Sequence, residues 1–368
     1  MGKTTAKKFA AAVLSARADE KSFNTPVGFF LNFFDEKEIP RGTLNWCKFF
    51  ARILKTKKLP PRIVLEFGAD RPGDLNSLLK IARPDFAAIT KIAPTHLHNF
   101  KTVENVAAEK VKLARAAKFF SILNFDDREL FGENLPAGIK FFGREKSCDL
   151  QISEIHETPT GFEFKLSGKF AEKNFTQKFT ANFFGAFQIS AFLPGIFFGL
   201  SIGISPEKIA EKFSEFVPPP GRGKILTGKN STKIWDHSFN SSPAAARAVL
   251  QTLPQIPAAR RIALLGEMKE LGNSAEKFHR EIARLAAGNC DFVVFVGTEN
   301  FAEEFKNEIP PEKFHAEKTA ENAGNFLSKF IRPRDLILTK GSRAIRLEKA
   351  IAPLLENKND AKKLAGEI

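Results

Sequence analysis

The sequence predicts an α/β protein in two parts: a P-loop-type, mostly parallel sheet domain with an antiparallel edge meander, then a Rossmann-like α/β C-terminal domain. Three observations carry that expectation. Apolar, strand-like runs alternate with helical patterns up to about residue 130, which is how a parallel sheet covered by helices reads. Between about Lys140 and Phe184 the pattern changes to strict alternation, as in Phe162-Glu163-Phe164-Lys165-Leu166, the mark of strands with one face buried. Beyond a proline-rich joint the strand–helix alternation starts again. The 368 residues suffice for two domains that each bury a core, and 43% hydrophobic with 27% charged residues is an ordinary globular balance.

Taken in order, Gly2-Lys3-Thr4-Thr5 reads as the back half of a phosphate-binding loop; the strand and first glycines of such a loop are not in this sequence. A helix follows at once, with Phe9, Ala10, Val13 and Leu14 on one face. Ile63–Phe67 and Phe86–Ile92 read as buried strands, Leu75–Ala82 and Val103–Ala117 as helices, and Ile122–Phe125 as a further strand. After the meander a helical stretch runs to Phe216. Val217-Pro218-Pro219-Pro220-Gly221-Arg222-Gly223 is the joint, because a proline run fixes an extended backbone and the glycines let it turn. It divides the chain into expected domains 1–217 and 218–368. In the second, strands are expected at Thr232–Asp236, Arg261–Leu265, Phe292–Val296 and Asp335–Leu338. Helices are expected there at Pro243–Thr252, Ser274–Ala287, Ala320–Phe330 and Leu347–Leu355.

Composition removes several function classes. The longest apolar stretch, Ile189 to Ile204, is short for a membrane span and is broken by Pro194 and glycines, so it reads as a buried helix. Lys3, Lys7 and Lys8 sit inside an amphipathic pattern with no signal-peptide core, which leads us to expect a cytoplasmic protein. Cys47, Cys148 and Cys290 lie far apart without metal-ligand spacing and read as reduced thiols. Fifty-six Lys and Arg against 42 Asp and Glu give a net charge of +14, spread along the chain. That distribution suits anionic small ligands better than a nucleic-acid groove. We expect no nucleic-acid partner, no membrane insertion and a monomer. Thirty-nine Phe stand against no Tyr, so no phenol hydroxyl is available to any site.

The candidate chemistry gathers at strand ends. Glu66 closes one expected strand, ahead of Arg71-Pro72-Gly73-Asp74, and His96 follows another in Ile92-Ala93-Pro94-Thr95-His96. In open α/β sheets ligands collect beyond the carboxyl ends of strands, and a carboxylate beside a phosphate loop suits a magnesium ion. Each alone also reads as a surface glutamate or a turn histidine. Lys110 lies on a helix whose apolar face is Val103, Val106, Ala107, Leu113 and Ala114, and by itself reads as a solvated lysine.

Together these residues resemble the Mur ligases, ATP-dependent enzymes that add amino acids to the peptidoglycan precursor. The resemblance rests on Gly2-Lys3-Thr4-Thr5, Leu65-Glu66-Phe67-Gly68, Arg71-Pro72-Gly73-Asp74, Arg83-Pro84-Asp85, Thr90 to Leu97, Glu109-Lys110 and Leu123 to Asp127. The second half adds Asp236-His237-Ser238-Phe239-Asn240-Ser241-Ser242-Pro243, Leu265 to Gly272, His279, and Lys340-Gly341-Ser342-Arg343. The Gly266–Gly272 and Lys340–Arg343 segments resemble the branch that adds D-alanyl-D-alanine to the UDP-N-acetylmuramoyl-tripeptide, those two being the implied partners. The resemblance implies ATP and two magnesium ions. It assigns Gly2, Lys3, Thr4 and Thr5 to the phosphates, with Thr4 and Glu66 on one ion and His96 and a carbamylated Lys110 on the second. Lys3, Lys110 and His96 are thereby the implied catalytic set. Arg222, Asp236 and Asn240 would meet the nucleotide, and Lys340, Ser342 and Arg343 the incoming dipeptide.

Departures accompany the match. The family's N-terminal domain, first strand and loop front are not in this sequence. Its acidic pair reads Asp236-His237, its Tyr is Phe239, its Gly-Arg-His-Asn type segment reads Gly185-Ala186-Phe187-Gln188, and the Gly-Glu after its lysine is Val111-Lys112. Two alternatives therefore stand beside the ligase: a degenerate, non-catalytic binding protein of the same fold, and a folylpolyglutamate synthase-like amide ligase.

Overall fold

In a computed structural model of the chain, residues 2–19, 25–34, 36, 39–56, 59–93, 95–132 and 135–366 are described. Pro94, named above, lies outside the described residues. The chain forms two units. One comprises Met1–Ile155, Glu163–Thr180 and Gln188–Phe216, the other His156–Phe162, Ala181–Phe187 and Val217–Ile368.

The first unit runs α1 (Lys3–Leu14), α2 (Pro26–Phe33), α3 (Thr43–Lys55), α4 (Asp74–Ile81), β1 (Phe86–Ile89), α5 (Leu97–Phe100), α6 (Val103–Ala116) and β2 (Phe120–Asn124). It continues with β3 (Ile139–Gly143), β4 (Leu150–Thr158), β5 (Gly161–Phe170), β6 (Lys173–Ala181), α7 (Ile189–Ser201) and α8 (Pro206–Ser214); the tips of β4–β6 count with the second unit. The strands form one sheet in the order β1-β2-β3-β4-β5-β6. Parallel pairing runs from β1 through β2 and β3 to the start of β4. The expected meander therefore begins one strand later than its alternation suggested: only β4–β5 and β5–β6 are joined by two-residue turns, which reverse the chain.

A second correction concerns the strand expected over 63–67. Among the described residues only Ile63 pairs, in a single parallel bridge with Arg17, flanked by Arg17 N–H to Arg62 O (3.0 Å) and Val64 N–H to Arg17 O (2.8 Å). An apolar run becomes a strand only where a neighbour completes its ladder, and beyond Ile63 the segment enters none. β1 likewise stops at Ile89, three residues short of expectation. Ile92 N–H donates to Asp127 Oδ2 at 2.6 Å in place of a sheet partner.

Phenylalanines hold the layers of this unit together. Phe9 of α1, Phe192 of α7, Phe213 of α8 and Phe164 and Phe179 of the sheet meet ring to ring at 5.0–5.7 Å. α7 is the apolar run with Pro194 inside, and it buries against α1. No described helix is long and apolar enough to cross a membrane.

The second unit runs β7 (Lys224–Gly228), β8 (Thr232–His237), α9 (Pro243–Thr252), β9 (Arg260–Gly266), α10 (Ala275–Asn289), β10 (Phe292–Val296) and α11 (Glu299–Lys306). β11 (Phe314–Glu317), α12 (Ala320–Phe330), β12 (Asp335–Lys340) and α13 (Glu348–Ile351) complete it. Its sheet order is β11-β10-β9-β12-β8-β7, parallel except for β7. The central strands are apolar on both faces because a core lies on each side, one under α9, α10 and α11, the other under α12 and α13. The helix expected over 347–355 is one α-turn followed by a 3-10 turn, since Pro353 cannot donate to the helical ladder.

Candidate active site

α1 starts at Gly2, whose φ of 78° is left-handed. A Cβ there would lie 2.8 Å from Ala191 Cβ, so the position demands glycine twice over, by conformation and by space. From this turn Lys3 projects exposed, while Thr4 and Thr5 are buried. The first amide groups of a helix lack internal partners and carry the positive end of its dipole, which makes this end fit for phosphate oxygens.

Thr4 Oγ1 donates to Glu66 Oε2 at 2.9 Å, so the structure joins two residues 62 positions apart in sequence. Behind them is a network that sequence reading missed. Lys7 Nζ, 1% exposed, lies 2.8 Å from Asp19 Oδ1 and 3.7 Å from Glu66 Oε2, and Asn32 Nδ2 reaches Asp19 at 3.4 Å. Its signal was available: Lys7 falls one turn after Thr4 and one turn before Ala10 on a buried line of the helix, where a lysine must find a carboxylate.

Lys110 stands on α6, and its amine is lowered to about 8 by burial first, then by the charge of Lys3, with Asp127 opposing. Asp127 is held by the Ile92 amide, and burial pushes its carboxyl up. The neighbouring Glu109 is structural: Oε1 accepts from Gly73 N–H and Leu75 N–H, both at 3.1 Å, tying α6 to the start of α4. His96 has a left-handed φ of 54°, and its Nε2 lies 3.2 Å from Asp70 Oδ1. Among the described residues no three His, Cys, Asp or Glu side chains converge as a ready metal cage. The donors at the head of α1 are instead a hydroxyl and one carboxylate. That set fits magnesium, which keeps waters and phosphate oxygens in its shell and needs few protein ligands.

In the second unit the candidate residues collect at the carboxyl ends of β8, β9 and β12, where open sheets bind ligands. Asp236 is fully buried, accepting from Gly221 N–H and Ser238 N–H, both at 3.0 Å, and from Thr339 Oγ1 at 3.3 Å. Burial raises its carboxyl against those hydrogen bonds. Lys340 reaches the carbonyls of His237 (3.4 Å) and Asn240. Burial, then the Arg222 charge, lowers its amine to about 7. His237 is buried beside Trp235 and Phe187, and burial, Lys340 and Arg222 hold its ring well below the usual range. The Arg222 guanidinium lies 4.1 Å above the Phe239 ring, a cation–π contact that needs no phenol. Asn240 Oδ1 accepts from Ser241 N–H at 2.8 Å.

Ser342 Oγ accepts from Lys269 N–H at 2.8 Å and its own N–H donates to Glu267 O, fastening the Gly341 turn to the segment after β9. His279 fixes that segment from below: Nε2 accepts from Met268 N–H at 2.9 Å and Nδ1–H donates to Ala275 O at 2.7 Å, a pairing that requires the neutral ring. Arg343 is engaged internally, forking onto the fully buried Glu348 at 2.8 and 2.9 Å.

Residues 1–197 match the Mur ligase middle domain and residues 221–343 the Mur ligase, glutamate ligase domain. The chain is similar to the UDP-N-acetylmuramoyl-tripeptide--D-alanyl-D-alanine ligase of Bacillus subtilis, 24% identical over 307 residues, covering 80% of this chain and 64% of that protein. To the protein of the same name in Rickettsia prowazekii it is 27% identical over 305 residues, covering 78% and 65%. It therefore spans just under two thirds of the length of the curated relatives it matches. In fold it is similar to the MurF ligase from Thermotoga maritima solved in complex with ADP, with a TM-score of 0.70, 22% identity, and coverage of 98% and 84%. With more than half of its length matched by one domain of the family, the chain belongs to the Mur ligases.

Proposed function

We propose that this chain carries out ATP-dependent amide ligation, joining D-alanyl-D-alanine to a UDP-N-acetylmuramoyl-tripeptide through an acyl phosphate. The observation that carries the reading is the Thr4–Glu66 hydrogen bond at the head of α1, beside exposed Lys3. The names of the curated relatives and the ADP bound to the Thermotoga protein support the choice of reaction and nucleotide. Lys3 and the first amides of α1 take the phosphate oxygens. Thr4 and Glu66 would hold one magnesium ion, and His96 with a carbamylated Lys110 the second; magnesium would supply neutralisation of the phosphate charge that otherwise opposes an incoming carboxylate. The tripeptide carboxylate accepts the γ-phosphoryl group and ADP leaves. The dipeptide amine then attacks the acyl carbon and phosphate departs.

Lys110 has the electronic preparation this role needs. Carbamylation requires the neutral amine, which adds to CO2 and releases a proton. With an amine near 8, about a quarter is neutral at pH 7.5, against about one part in a thousand for an unperturbed lysine. In the second unit, Arg222, Asp236 and Asn240 are assigned to the nucleotide, and Lys340 and Ser342 to the dipeptide end. Arg343 acts there through its clamp on Glu348, which sets the turn that presents Ser342.

The test is ADP release from the purified chain. Release should require both the UDP-tripeptide and D-alanyl-D-alanine, with the pentapeptide product appearing in equal amount. ADP formation indifferent to either substrate would remove the ligase reading; nucleotide binding with no ADP at all would make the chain a binding protein of this fold.

A further inference from the structure

Seven of the eleven large apolar side chains exposed among the described residues fall between Val27 and Leu59, a segment to which only Asn32 of the network above belongs. Their centre is α3. Only Phe49 of this helix is buried, resting on Phe30 and Phe34. At helical spacing Phe50, Leu54, Cys47, Ala51 and Leu44 then share an outward sector of about 120°. Leu44 is 68% exposed and Leu54 88%. Along the edge of that stripe run Lys48, Arg52 and Lys55. No Asp or Glu occurs from Arg41 through Arg62, and that stretch carries seven basic residues. Arg52 pairs with Glu36; Lys48 and Lys55 enter no ion pair among the described residues. Arg41, Lys48 and Arg52 also line an open cavity of ≈ 470 Å³ together with Ile39, Pro40, Asn45, Phe49 and Glu36, the partner of Arg52.

We propose that α3 docks the protein onto an anionic lipid bilayer, lying in the plane of the interface. Charge complementarity selects this occupant. A stripe of aliphatic and aromatic side chains bordered by cations, with no acid among them, matches acyl chains beneath negatively charged headgroups. A nucleic acid would leave the apolar stripe wet. At 13 residues the helix is about 20 Å long, too short to span and well sized to lie flat. Trp46 stacks on Phe50 at 5.7 Å at the border of the stripe, where an amphipathic indole belongs at a membrane surface.

The full chain is to be sedimented with vesicles of phosphatidylcholine alone and of phosphatidylcholine with about 30% phosphatidylglycerol. Binding to the anionic vesicles should be at least about tenfold tighter, fall steeply with added salt, and shift Trp46 emission to the blue, Trp235 being buried throughout. Replacing the two cations (Lys48→Gln with Lys55→Gln) should weaken it by about thirty-fold, and Phe50→Ser with Leu54→Ser should abolish it. All four sites are exposed, so the fold is retained, as urea midpoints will verify. Absence of binding to anionic vesicles, or binding that both double variants leave unchanged, overturns the proposal. So does a concentration-dependent dimer that Phe50→Ser with Leu54→Ser dissolves without any vesicle binding, since the occupant would then be a second copy. None of these outcomes depends on the ligase reading.

Discussion

Lys110 shows how little a residue's identity says before its surroundings are known. On the helix pattern alone it is an ordinary solvated lysine; in the fold, burial and the nearby Lys3 bring its amine to about 8. Lys110→Ala should lower turnover by at least about a hundred-fold, and added bicarbonate should fail to restore it, since no amine remains to carbamylate. Retained activity would strike Lys110 from the site. Lys7 gives the opposite lesson, a cation whose work is structural. With Asp19 at 2.8 Å and Glu66 at 3.7 Å, Lys7→Met leaves two buried carboxylates short of their cation. The expected loss is about 3 kcal/mol, read from the urea midpoint. Because the same lysine steadies Glu66, the apparent magnesium affinity should fall with it.

At the scale of elements, α1 is set by its ends and its partners. Gly2→Ala drives a Cβ into Ala191 and forces a left-handed alanine, so it should disturb the phosphate loop before it unfolds anything. The expectation is a raised KM for ATP, with stability read from the urea midpoint lowered by about 1–2 kcal/mol. An unchanged KM for ATP would contradict it. The aromatic cluster behind α1 is the larger store of stability. Phe213 touches Phe9, Phe164, Phe179 and Phe192 edge to face, and Phe213→Ala should cost about 3–5 kcal/mol. α6 illustrates local legibility: Thr102 caps it through Asn105 N–H at 3.2 Å, and its apolar spacing alone placed its start.

At the scale of the whole molecule, buried bases tie stability to pH. Lys340 has its amine at about 7 in the folded chain against an ordinary value of 10.5. Between those values the unfolded chain binds the proton and the folded chain does not, so this group makes stability rise with pH from about 7 upward. His237 acts the same way lower down, its depressed ring making acid destabilising as pH falls below 6.5. Lys340→Met should flatten the rise in urea midpoint between pH 7 and pH 10 relative to the parent chain. An unchanged slope would show that Lys340 does not titrate in that range.

Much of the fold lay open in the pattern of residues. The strand at Phe292–Val296 and the helices at Pro243–Thr252 and Ala320–Phe330 fall where period and turn residues place them, because those signals are local. The elements that escaped notice are α2, α3, α5, β7, α11 and β11; all but the 13-residue α3 are short. The expected strand over 63–67 failed for a different reason: hydrophobicity marks a segment for burial, but a ladder needs a neighbour, and only Arg17 lies alongside.

The candidate site divides along the same line. Sequence alone established which chemical groups the chain owns and in what order: Lys3, Thr4, Glu66, His96, Lys110, then Asp236, Asn240 and Lys340. Tertiary structure alone decided that Thr4 and Glu66 touch, that Lys110 is buried near Lys3, that His96 turns to Asp70, and that Arg343 is spent on Glu348. Identity and periodicity are properties of neighbours along the chain. Distance, desolvation and charge coupling are properties of neighbours in space, and they exist only once folding has brought residues dozens of positions apart into one low-dielectric environment.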